Sequence, residues 1–154
     1  MASWETFEAS APEMAERGRA VLFRSGAGEG LFTTIAGAGL PRTHPVNIGI
    51  VEGQLLIFVQ GGSAKARDLA ADGRYALHAH QDPAVPHEFL LRGRARLVGD
   101  AAQRARAAAD WPFTPGDDYP LYEFGIEHAL FGERGDPDAW PPIYTSWHAD
   151  GAPI

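Results

Sequence analysis

Apolar residues recur along this chain in two rhythms. Over residues 11–24, APEMAERGRAVLFR, they fall at helical spacing, with Met14, Val21 and Leu22 on one face. Pro12 suits a first helical turn, and Ser10 is placed to cap it. Ser25 to Gly30, SGAGEG, ends that helix in a turn. Three apolar runs of β character follow: 31–37 (LFTTIAG), 43–51 (THPVNIGIV) and 54–60 (QLLIFVQ). Ala38 to Arg42 forms a turn-like connector between the first two. Glu52-Gly53 is a two-residue hairpin signal between the second and third. Short turns between consecutive strands predict an antiparallel meander, not a βαβ unit.

The rhythm then changes again. SAKARDLAADGR reads as a short helix, capped by Ser63 and ended by Asp72-Gly73. Strands are expected over 75–80 and 87–99, then a helix over 100–111 with Asp100 as its cap. A further strand fits 119–133, and a last short one Ile143 to Trp147. Arg92, Arg94 and Arg96 alternate on one face of their strand, with Leu91, Ala95 and Leu97 on the buried side. The fold expected is mostly β: a six-stranded antiparallel split β-barrel with two or three flanking helices. One domain covers 1–154, with its core over about 10–133 and a C-terminal tail over 134–154.

Composition narrows the function classes. The 154 residues are 45% hydrophobic, as a packed domain requires. Thirteen basic residues face twenty acidic ones, a net charge of −7. Bulk charge therefore argues against nucleic acid, which needs clustered cations. Any anionic ligand needs a local basic site. Lys65 is the single lysine, and there is no cysteine, so disulfides and thiolate chemistry are excluded. No leader is read in the acidic first twenty residues, and no apolar run approaches the ~20 residues of a membrane span. A cytoplasmic protein is expected.

Among candidate motifs, G-A-G-E-G (26–30) follows a helix and opens a strand, the reverse of a dinucleotide loop, and reads as a turn. His78 and His80 share a strand face but lack a third ligand at metal spacing. They read as surface residues, with a metal role a distant alternative. The arginine row reads as a solvated strand face paired with acids on its neighbour. No serine stands in a hydrolase elbow.

Ser63-x-Lys65-x-Arg67 carries more chemistry. It opens a helix directly after a strand. A helix start offers unpaired N–H groups and a partial positive charge, and the hydroxyl, ammonium and guanidinium add to both. A phosphate monoester needs such a set. Gly61 and Gly62 allow close approach of the backbone. An ordinary capped helix with two solvated cations is the competing reading.

The order of motifs is more specific than any one of them. L-P-R-T-H-P-V (40–46) is followed by a hairpin, then L-L-I-F-V (55–59), G-G-S-A-K-A-R-D-L (61–69), G-R-Y-A-L-H (73–78) and R-G-R-A-R-L-V (92–98). Over roughly residues 10–133 this resembles the pyridoxamine 5′-phosphate oxidase-like, FMN-binding split-barrel family. The resemblance implies a homodimer with FMN at the subunit interface and a small-molecule substrate. By position, Arg42, Thr43, His44, Pro45, Val46 and Asn47 would run along the flavin ring and phosphate. In that reading Arg42 meets phosphate or ribityl, and Thr43 to Val46 offer backbone groups to the ring edge. Phe58 and Val59 would lie under the cofactor. Ser63 and Lys65 would hold the phosphate, with Arg67 beside them. Glu88 and Phe89 would reach the partner's flavin, and Trp111 and Trp147 are candidate covers for the ring.

One departure matters. True pyridoxamine phosphate oxidases hold their substrate with an arginine and a histidine near the C-terminus. Here His148 stands in S-W-H-A-D-G-A-P-I, and no arginine follows Arg134. That argues against pyridoxamine phosphate oxidation. The resemblance points to an FMN-dependent oxidoreductase of unassigned substrate, with no catalytic residue named. The alternatives are a non-catalytic flavin-binding sensor and a user of the deazaflavin F420.

Overall fold

The computed structural model describes residues 1–150. Its helices are α1 (Trp4–Ser10), α2 (Pro12–Leu22), α3 (Ala64–Ala71) and α4 (Ala101–Ala109). Its strands are β1 (Glu29–Ile35), β2 (Pro41–Asn47), β3 (Gly49–Val51), β4 (Gln54–Phe58), β5 (Arg74–His78), β6 (Glu88–Leu97), β7 (Leu121–Glu133) and β8 (Ile143–His148). All pair antiparallel, in the order β2-β1-β5-β6-β7-β4-β3, with β8 added along β7.

The two ends of that order are neighbours in the chain. Only Ile48 separates β2 from β3, so the sheet curls until the backbone joins its own edges. The run 43–51, expected as one strand, is therefore two. The physical reason is local. Ile48 donates its N–H to the Gly28 carbonyl at 2.9 Å, outside either ladder, and buries its side chain. The chain then leaves β1 and pairs with β4. This break divides one expected strand of the six-stranded barrel in two, and with β8, where a last short strand is expected, the described residues hold eight strands, while the split-barrel architecture stands.

Alternation sorts the side chains. Phe32, Leu77, Phe89, Leu91, Phe124 and Ile126 fill the barrel, joined by Leu55, Ile57 and Val59. On the other side of β4, Leu56 and Phe58 pack with Leu121 against Ala107 of α4 and Trp111, just beyond its end. The hairpin between β3 and β4 turns at Glu52 (φ 50°) and Gly53 (φ 74°), the left-handed pair that a two-residue turn needs. Asp100 caps α4 through the Ala102 and Gln103 N–H groups, as its position predicts. No helix among the described residues is long and apolar enough to cross a membrane.

Three details differ from expectation. Residues Trp4–Ser10 form α1, capped by Ser3, which the sequence reading left unassigned. Its apolar content is Trp4 and Phe7, one turn apart and both fully buried. Ser10 ends α1, donating its hydroxyl to the Phe7 carbonyl, so it does not cap α2. Leu97, placed on the buried side, is 59% exposed at the end of β6.

Helix α2 is pressed onto the sheet through a glycine. A Cβ at Gly18 would lie 2.3 Å from Cζ of Phe89. That ring is fully buried against Phe7, Trp4 and Phe131, so it has nowhere to yield. Gly18→Ala is expected to lower stability by about 1–3 kcal/mol through overpacking, read as an earlier midpoint in urea unfolding at unchanged slope.

Candidate functional site

The start of α3 is shaped by two glycines and a serine. Gly61 lies so close to the Asp118 carbonyl that a Cβ there would come within 2.1 Å of its oxygen. Gly62 takes φ +76° with open space above it. Ser63 then caps the helix, its Oγ accepting from the Ala66 N–H at 3.3 Å. The N–H groups of Ala64 and Lys65 have no carbonyl a turn before them to bond. Arg67, exposed, folds back and donates from Nη1 to the Gly62 carbonyl at 2.6 Å. The helix ends at Asp72, as its sequence predicts.

Strand β2 brings a second set of groups to this helix. Arg42 and His44 are two residues apart, so their side chains share a face. That face meets α3. Arg42 donates from Nε to Oδ2 of Asp68 at 3.0 Å, and Thr34 donates its hydroxyl to the same oxygen at 2.7 Å. Thr34 and Arg42 are register partners across β1 and β2, which is why one carboxylate bonds both. Asp68 is 6% exposed, and Thr34 is fully buried. His44 is the register partner of buried Phe32. Burial first, then the charges of Lys65 and Arg42, lower the His44 pKa from its ordinary value of 6.5, and Asp68 opposes them. Its Nε2 is sealed from solvent and has no hydrogen-bond partner among the described residues.

Arg42 is thus tied to α3 at Asp68, the charges of Lys65 and Arg42 both act on His44, and Ser63 and Arg67 stand at the helix start. Asp68 belongs with them, and sequence reasoning missed it. The available signal was its spacing: three residues after Lys65, on the same side of a short helix. Nothing in the sequence alone says that this aspartate is buried.

The remaining expected residues are distributed differently. Thr43 lies on the opposite face of β2 with its hydroxyl 2.9 Å from that of Thr33, and Pro45 is exposed. Val46 packs against the barrel core, and Asn47 donates its amide to the Gly28 carbonyl. Phe58 and Trp111 pack edge to face, ring centres 5.0 Å apart, with the Arg104 guanidinium over Phe58. Val59 is fully buried in the barrel. The side chains of Phe58 and Val59 are thus committed to packing rather than laid open beneath a cofactor. Trp111 presses on Gly49 and fixes α4 to β3. Trp147 lies on Phe7, ring centres 5.0 Å apart, and closes the space between α1 and β7. Both tryptophans act as packing residues here, not as free covers. Phe89 is enclosed in the core and is not free to reach a partner, whereas Glu88 stays half-buried beside the Tyr144 hydroxyl.

The arginine row is paired with acids at two of its three positions, and Arg92 meets a histidine instead. Arg94 bonds Glu127, Arg96 bonds Glu123, and Arg92 lies against His128. His78 ends β5, and no group of three metal-ligating side chains occurs among the described residues. A groove of about 460 Å³ lies away from this site, between α2 and the ends of β7 and β8. Its cation, Arg17, is already paired with Glu133 and stacked over Phe131.

The sequence matches no protein-family model and no curated protein. Solved structures do match. A Clostridium acetobutylicum protein related to general stress protein 26, described as of the pyridoxinephosphate oxidase family, is 14% identical with a TM-score of 0.62, covering 95% of this chain and 96% of that one. A haem-binding protein from Mycobacterium smegmatis is 17% identical with a TM-score of 0.64, and the alignment covers 85% of this chain but 57% of that one. HutZ, a haem storage protein from Vibrio cholerae, is 13% identical with a TM-score of 0.58, covering 76% and 89%. These likenesses, together with the closure through Ile48, show that the chain has the split-barrel fold of the pyridoxamine 5′-phosphate oxidase-like proteins that its motifs resemble.

Proposed function

We propose that this chain binds FMN as a homodimer and uses it as an oxidoreductase on a small molecule. The phosphate would rest at the start of α3, with the ring along β2. The observation that carries this reading is the meeting of Arg42 and His44 with Lys65 at an open helix start. A phosphate monoester has three acceptor oxygens and up to two negative charges. The Ala64 and Lys65 N–H groups, the lysine ammonium and the outer guanidinium nitrogens of Arg42 are donors of matching number and charge. In a chain of net charge −7, such a local cluster is the place for an anion.

Strand β2 ends the ladder order, so one edge of its backbone lacks a strand partner among the described residues. Pro41 and Pro45, which have no N–H to give, are tolerated on such an edge. Carbonyls and N–H groups along that edge are suited to the polar rim of a flavin ring. When bound, the flavin supplies the electron and hydride chemistry, and the protein orients it and limits water.

Outward-facing residues support a second copy. Pro45, Leu31, His78, Leu90 and Leu130 stand side by side across five strands, a mostly apolar row on the outer face. Haem is the second reading, favoured by the two haem proteins that share the fold.

The test is an absorption spectrum of the purified protein, followed by titration with FMN and with haemin. Flavin absorbance, or saturable quenching of FMN fluorescence at one FMN per chain, is the expected result. A Soret band with no response to FMN would replace the reading with haem. Lys65→Ala is expected to weaken FMN binding by about 1–3 kcal/mol, the loss of a charge-assisted hydrogen bond, measured by the same titration. In size exclusion the wild-type protein is expected to elute as a dimer.

A further inference from the structure

One arginine of the outward row has no acid beside it. Arg92 directs Nε and Nη2 at Nδ1 of His128, 3.3 and 3.2 Å away. A guanidinium has only donors, so Nδ1 accepts and the imidazole is neutral. Burial, then the charges of Arg92 and His148, lower the His128 pKa from 6.5, in agreement. A neutral ring leaves the charge of Arg92 uncompensated.

The sheet gathers two more guanidiniums next to it. Arg74 of β5 stands directly opposite Arg94 of β6, and Ala76, opposite Arg92, has only a methyl group to fill its place. Like charges directly opposite on a sheet repel. Along β7 the register shifts: Arg92 faces His128, whereas Gly93 faces Ile126. Glu127 is the extra residue of this bulge, so the consecutive residues Glu127 and His128 come to the same side. The result is a groove of about 370 Å³ whose lining includes Arg74, Arg92, Gly93, Arg94, Glu127 and His128. Three guanidiniums meet one carboxylate there, with Arg94 Nε 3.3 Å from Glu127. Asp72, which does not line the groove, bonds Arg74 through Nε and Nη2. Even counting Asp72, positive charge is in excess.

We infer that this groove is a second anion site, separate from the start of α3, for a small molecule bearing two or more oxyanion charges, as phosphate or carboxylate. Lys65 stands in the first turn of α3 and Arg74 beyond its C-terminal end, so the two sites share no residue. The bonds already made leave Nη1 on Arg74 and Arg92 and both outer nitrogens on Arg94 to donate to oxyanions. Arg92 and Arg94 lie roughly 7 Å apart along β6, which suits more than one anionic group. The ion pairs of Arg74 and Arg94 are exposed, and such pairs hold weakly against a multivalent ligand. His128 and His148 are neighbours, ring centres 4.5 Å apart, but the Arg92 charge beside them opposes a metal cation.

Calorimetric titration of the Lys65→Ala protein, in which the start of α3 is disabled, reads this groove. The probes are pyrophosphate and citrate at low ionic strength. Saturable binding of at least one of them, at one per chain, is expected, and the tighter of the two distinguishes phosphate from carboxylate as the preferred group. Adding Arg92→Gln is expected to weaken that binding by on the order of tenfold or more, the loss of a charge-assisted hydrogen bond. Adding Glu127→Gln instead is expected to strengthen it, because the carboxylate that lines the groove is gone, and misfolding does not produce such a gain. Absence of saturable binding by both probes, binding that Arg92→Gln leaves unchanged, or binding that Glu127→Gln weakens overturns the inference. FMN titration of the Arg92→Gln single variant separates the two sites. Its FMN response is expected to match that of the wild-type protein, whatever that response is, and a lower affinity would overturn the separation.

Discussion

The corner at Ile48 is the constraint on which the rest of the molecule depends. A sheet whose ends are joined by one residue has no freedom to splay. The Gly28 carbonyl accepts from both the Ile48 N–H and the Asn47 amide, and a Cβ on Gly28 would come within 2.3 Å of the Ile48 oxygen. Backbone meets backbone there, and glycine is the residue that allows it. With the corner fixed, the register of β2 on β1 is fixed as well. A slip of one residue would turn every side chain of β2 to the other face. Arg42 and His44 would then leave α3, and the anion site would come apart.

Asp68 converts that register into chemistry. A buried carboxylate is costly unless it is paired and bonded. Here a hydroxyl from β1 and a guanidinium from β2 meet the same oxygen, so one helix residue ties two strands. The bond uses Nε of Arg42 and leaves the two outer nitrogens of its guanidinium for a ligand. Asp68 thereby holds one wall of the site in place. It also tempers a cluster that would otherwise repel itself while empty.

Local rules were legible in the sequence. Ser63 and Asp100 cap the helices they precede, and Glu52-Gly53 makes its hairpin, because each depends on a few adjacent residues. The paired arginines at 94 and 96 followed from alternation. What failed depended on the rest of the fold. Alternation runs on through Ile48, so the pattern alone does not show that the chain changes partners there. Helix α1 offers only Trp4 and Phe7 as an apolar stripe, too short to see without the core that receives it. An aromatic residue reads the same whether it fills a core or covers a ring, and Phe58, Phe89, Trp111 and Trp147 proved to be packing residues. The burial of Asp68 belongs to β1, β2 and α3 together, and no window of sequence contains all three.

The phosphate position is the claim that joins fold to function. A crystal structure of the protein grown with FMN tests it most directly. The account predicts phosphorus at the opening of α3, within hydrogen-bonding reach of the Ala64 and Lys65 N–H groups, Lys65 Nζ and the Arg42 guanidinium. FMN bound with its phosphate elsewhere, and Lys65 left in solvent, would contradict it.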